Sequence, residues 1–289
     1  FGWQYRVDGD TAGRGVLGGA KYFDNPAFAG KTTYAERIEA GRTLANGIIE
    51  TAHDLGMTAA IAISPLEFPK EFAAVLPNAR PSTELEPLSI GPGAAQPPDD
   101  PKLMELAKTQ IRAYLRAYPS IDALYLTLPE FPDWVDHAEA SWKRLDEQTG
   151  IGKLTSLEAL TNAARERTVI ASGDRGARAL RGNIAGIDFL RRLLADDRLL
   201  RARGVQVKPF LVDADPALFP YLDKLLPSGA GALHFVDYTA RRVVENRALL
   251  AKAPVKSIPS SLILTLADDN VGLLPQFSGT AIHELAKDL

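Results

Sequence analysis

Five apolar, strand-like runs punctuate this chain, and each stops on or just before a carboxylate. Ala59 to Ser64 leads to Glu67, Leu124 to Leu128 to Glu130, and Val205 to Val212 to Asp213. Ala232 to Val236 leads to Asp237, and Leu262 to Leu266 to Asp268 and Asp269. Helical patterns alternate with these runs. Alternation of this kind predicts a parallel sheet covered by helices. Runs apolar on both faces suit strands buried on both sides. In α/β barrels the chemistry sits at the C-terminal strand ends, so acids delivered there would share one rim.

The helical segments are predicted over 33–55, 101–117, 184–202, 216–226, 239–252 and 278–288. The 101–117 segment opens on Pro101 and is strongly amphipathic. The stretch 132–200 reads as mostly helical, with breaks at 149–152 and around Gly173 to Gly182. Residues 1–30 and 73–101 are rich in glycine or proline and read as loops. Thr168 to Ala171 is a further short strand candidate. The resulting expectation is a TIM-type (β/α) barrel, incomplete at its N-terminus, filling 1–289 as one catalytic domain of a longer chain. A length of 289 residues accommodates a fold that needs about 250.

Composition narrows the function classes. There is no cysteine, which removes disulfides, thiolate catalysis and cysteine-ligated metals. A net charge of −3 gives no reason to expect a nucleic-acid partner. No apolar run is long enough to predict a membrane span. No Gly-x-Ser-x-Gly elbow or His-Glu-x-x-His pair occurs, and the glycines Gly13, Gly15, Gly18 and Gly19 lack the strand-to-helix context of a dinucleotide fingerprint. No cofactor is called for, and the compartment is left open.

The candidate catalytic residues are Glu130, Glu67, Asp237 and Asp268. Glu130 lies in Leu-Pro-Glu-Phe-Pro-Asp-Trp, with Phe131 and Trp134 close after it. Aromatic surroundings disfavour the charged carboxylate and raise its pKa, as a general acid requires. The same rings suit sugar stacking. Glu67 repeats the pattern of strand, proline, acid, phenylalanine, proline, and otherwise reads as a helix cap. Asp215, before Pro216, reads as an N-cap, which leaves Asp213 to face the rim. Lys208 sits inside an apolar strand and is expected at the rim or paired with an acid there. Asp237 with Tyr238, Asp268 with Asp269 and Asn270, and His234 complete the substrate-binding candidates. His234 also reads as a core histidine, Asp268–Asn270 as a turn, and His53 as structural.

Three stretches resemble barrel glycoside hydrolases, most closely the α-glucuronidase-like group. They are His53–Met57 with Pro65–Pro69, Tyr118–Asp122 with Glu130, and Asp268–Gly272 with Pro275 and Gln276. The resemblance implies acid-catalysed glycosidic cleavage by paired carboxylates on a carbohydrate, with Glu130 at the acid position. A uronic-acid substrate would add a cationic partner, Lys208 or Arg175. Two other readings stand beside it. One is a Mg²⁺-dependent lyase or isomerase using Asp237, Asp268 and Asp269. The other is a carbohydrate-binding barrel without turnover.

Overall fold

The structure is a computed structural model that describes residues 25–76, 78–81, 89–129, 133–169, 171–264 and 279–288. The first helix, α1 (Tyr34–Asp54), starts at a reciprocal cap. Thr33 accepts from the Glu36 amide, and the Glu36 carboxylate accepts from the Thr33 amide at 2.9 Å. These bonds hold the Glu36 carboxyl well below its usual range, at about 2. Strand β1 (Ala60–Ile63) follows. Strands β2 (Phe68–Pro69), β3 (Ala79–Pro81) and β4 (Ser89–Pro92) form a small antiparallel sheet in the order β2-β4-β3. The expected loop over 73–101 therefore contains two strands. They were hidden by their brevity and by Pro81 and Pro92 at their ends.

Helix α2 (Pro101–Ala117) is capped by Asp100, which accepts from the Lys102 and Leu103 amides. Strand β5 (Ala123–Thr127) is followed by α3 (Ala138–Thr149), α4 (Leu157–Glu166) and α5 (Gly173–Leu193). A two-residue hairpin, β6 (Arg201–Ala202) with β7 (Val205–Gln206), precedes β8 (Lys208–Val212). Then come α6 (Leu222–Leu225), β9 (Gly231–His234), α7 (Ala240–Glu245), β10 (Ser260–Leu262) and α8 (Gly279–Asp288). Two expectations are corrected. Helix α5 runs unbroken through Gly173–Gly182, and it ends at Leu193 rather than near 202. The stretch Thr168–Val169 is not strand.

The main sheet is parallel throughout, in the order β1-β5-β8-β9-β10. Spatial order equals chain order, so each crossover returns to the next position and helices flank the sheet. Strand periodicity separates the two faces. One face carries Ile63, Leu124, Leu126, Leu211, Ala232 and His234, all buried. It joins the cluster formed with Leu103, Ala107, Ile111 and Leu115 of α2 and Ile184 and Ile187 of α5. On the other face Tyr125 pairs in register with Phe210, and Phe210 with Gly231. The Tyr125 and Phe210 rings meet edge-on at 5.5 Å, and both residues are half-buried.

An ionic cluster ties α3 and α5 to the 93–100 loop. Arg144 donates to the fully buried Asp188 at 2.9 and 2.7 Å. Arg192 donates to Asp188 at 3.3 Å and to the Pro98 carbonyl at 2.7 Å. At the N-terminal end of the sheet, Asp122 accepts from the Ala59 amide and His53. Those two contacts lower its pKa, the amide contributing more. His53 is thus structural, as its place in the sequence suggests. Among the described residues no helix is long and apolar enough to cross a membrane.

Candidate functional site

A cleft of about 810 Å³ opens at the C-terminal ends of the parallel strands. Thr127 at the end of β5 and Leu128 after it, Asp213 and Ala214 after β8, Phe235 after β9 and Ile263 after β10 line it. These residues arrive together because the register aligns the strand ends. Thr127 is paired with Val212, and Val212 with Leu233. The Leu128 amide continues the ladder to the Val212 carbonyl, and the Ile263 amide to that of His234. Parallel α/β sheets place ligand sites at this end.

The walls carry several charged side chains. Arg80 crosses from β3 to hydrogen-bond the Asp133 carboxylate, and both side chains line the cleft. Arg167 donates to Asp215 at 2.5 Å and to the Ala171 carbonyl at 2.5 Å. That pair is almost fully enclosed, with 8% and 3% of the two side chains exposed. Removing one partner from such a pair strands a buried charge, which costs about 3–5 kcal/mol. Arg175 and Arg178, one turn apart on α5, line the cleft beside Asp174. Arg178 is exposed, and among the described residues it makes no hydrogen bond or ion pair. Tyr238 lines the far wall with its ring 5.0 Å from that of Phe235.

Asp213 follows the last residue of β8 with a left-handed backbone (φ 63). Asn183 of α5 braces the turn. Its amide nitrogen donates to the Asp213 carbonyl at 3.4 Å, and its amide oxygen accepts from the Asp215 amide at 2.9 Å. Asp215 caps the short helix Pro216–Tyr221 by accepting from the Ala217 amide, the role its position before proline predicts.

The residues singled out in the sequence divide sharply. Asp213 and Tyr238 meet in the cleft. Glu130, Phe131, Asp268, Asp269 and Asn270 lie outside the described residues. Glu67 is not among the cleft's lining residues. It accepts the Ser89 hydroxyl at 2.5 Å, and its carbonyl accepts from Gln110 of α2, so it joins the small sheet to a helix. It does not cap the short helix Lys70–Ala74, which lacks any side-chain cap. Asp237 is buried, with a carboxylate oxygen 3.6 Å from Arg242. Lys208 begins β8 instead of ending it, at the end of the sheet where Asp122 lies. Four strand residues separate it from the rim, on the order of 13 Å.

Trp134 is a core residue, 3% exposed, with its ring 5.6 Å from that of Phe189. It offers no face to a sugar. His234 is also buried, edge-on to Phe219 at 4.7 Å, and neither ring nitrogen has a hydrogen-bond partner among the described residues. Burial lowers its pKa and keeps the ring neutral. It borders a second cavity of about 890 Å³, shared with Leu250, Leu262 and Leu285 and separate from the rim. Among the described residues no group of three or more His, Asp or Glu side chains is placed to hold a metal ion.

Arg80, Asp133, Arg167, Arg178 and Asn183 enter the site without having stood out in the sequence. One signal was present. Arg175 and Arg178 are three apart, the spacing that puts both on one helix face, but they lie in a glycine-rich stretch that looks like a break. Comparison with known protein families, curated proteins and solved structures finds no match for this chain.

Proposed function

We propose that the chain is a glycoside hydrolase built on a (β/α) barrel, acting at the strand-end cleft on an oligosaccharide that carries uronic-acid units. The observation that carries the reading is the composition of that cleft. It combines a strand-end carboxylate, Asp213, an aromatic pair, Tyr238 and Phe235, and an arginine, Arg178, that has no partner among the described residues. Carboxylates accept sugar hydroxyls, aromatic rings stack on sugar faces, and a guanidinium receives a carboxylate in two parallel hydrogen bonds. Chain-order parallel strands support the barrel. A closed barrel presents its active site at this same end. In this reading Tyr125, Phe210 and Gly231 form a layer of the barrel interior.

The acid in this scheme is Glu130. Pro129, immediately before it in the chain, lines the cleft, and general-acid work is the role the strand-end position assigns to Glu130. The purified protein is to be incubated with a panel of neutral oligosaccharides and uronides while reducing ends are measured. Uronides are expected to be cleaved and neutral analogues to be poor substrates. Glu130→Gln is expected to lower turnover by on the order of 10²–10⁴-fold while leaving the melting temperature unchanged. Full activity in that variant would remove Glu130 from the mechanism. Binding without cleavage would favour a carbohydrate-binding barrel, and activity abolished by chelator would favour the Mg²⁺-dependent lyase.

A further inference from the structure

Resting on the glycosidase reading, we infer that Asp213 is the catalytic carboxylate that faces the reacting sugar ring. Its backbone is the first reason. Among the described residues only two that are not glycine have positive φ, Arg203 and Asp213. Arg203 lies in the tight turn between β6 and β7, beside Gly204 (φ 82), where a hairpin demands that conformation. Asp213 directly follows the middle strand of the main sheet, where an ordinary strand exit does not demand it. An L residue holds such a conformation when its surroundings over-determine it, and such residues cluster at functional sites.

The surroundings here do over-determine it. Asn183, itself buried, bridges the Asp213 carbonyl and the Asp215 amide. Asp215 is locked in turn by Arg167 and by its cap on the next helix. Asn183 and the Arg167–Asp215 pair thus fix the backbone of the turn that carries Asp213, a half-buried residue lining the cleft. Glycoside cleavage passes through a transition state with positive charge on the sugar ring. A preoriented carboxylate stabilises that charge without reorganising, which makes it more effective than a mobile one.

The bland alternative is that Asp was retained because it tolerates left-handed backbone better than most residues. Two variants separate the roles. Asp213→Asn keeps that tolerance and nearly the same shape but removes the charge. Asp213→Gly removes the strain altogether. Both are expected to melt at or above the wild-type temperature and to lose at least about 10²–10³-fold in kcat on the substrate that the wild type cleaves. Formate, a small carboxylate, is expected to restore part of the turnover of Asp213→Gly, which a merely structural role would not allow. Wild-type kcat in Asp213→Asn would overturn the inference and leave the glycosidase reading standing. So would activity lost only in step with a large fall in melting temperature in both variants. If the wild type cleaves nothing in the panel, the reading fails and this inference fails with it.

Discussion

At the residue scale, the same chemical type serves two purposes according to what surrounds it. Asp215 and Arg167 neutralise each other in near-complete burial, so they hold the turn in place. Asp213, two residues earlier, faces the cleft. The strand-end rule made Asp213 and Tyr238 legible, because it needs only local sequence. Arg80, Arg167 and Asn183 were not legible, because only the fold brings three distant segments to one rim. Trp134 misled for a different reason: a ring beside an acid resembles a sugar platform until packing against Phe189 is known. His234 carries a prediction of its own. Its folded-state pKa lies below the 6.5 of the unfolded chain. The unfolded state therefore binds the proton first as pH falls, and stability drops below about pH 6.5. The loss is up to about 1.4 kcal/mol per pH unit until the folded pKa is reached. His234→Phe keeps an edge-on contact with Phe219 and has nothing to titrate. Urea unfolding at pH 7.5 and 5.5 should show a smaller acid loss in that variant than in the wild type. Equal losses would mean that His234 is not held neutral.

At the element scale, long periodic segments were readable and close approaches were not. The helix over Pro101–Ala117 coincides with its predicted bounds because Pro101, the Asp100 cap and a sharp apolar stripe agree. Helix α5 reads as broken because glycine is a poor helix former. In the fold two glycines of the helix, Gly176 and Gly186, lie where it passes close to its neighbours. A Cβ on Gly176 would fall 2.4 Å from the Ala164 carbonyl oxygen, and one on Gly186 would fall 2.8 Å from Leu128. The β8–β9 pairing has a similar dependence. A Cβ on Gly231 would lie 2.4 Å from the Phe210 ring and 2.7 Å from the Pro259 carbonyl oxygen. The ring could turn aside, but the carbonyl is backbone. Gly231→Ala should therefore destabilise by about 1–3 kcal/mol in chemical denaturation. An unchanged midpoint would show that the strands are not packed this closely.

At the scale of the whole molecule, five strands in chain order form one parallel sheet, and the C-terminal ends of four of them, β5, β8, β9 and β10, meet at a single cleft. The alternating sequence made that architecture legible. It could not show that Lys208 starts its strand, since the hairpin Arg201–Gln206 takes up the first residues of the apolar run. The central claim is one of place: the carbohydrate is bound at the strand-end rim. A crystal of the Glu130→Gln variant soaked with an uncleaved uronide oligosaccharide tests that claim most directly. The account predicts sugar density within hydrogen-bonding distance of Asp213 and Arg178, with a ring stacked near Tyr238. Density elsewhere on the molecule, with the rim cleft empty, would contradict it.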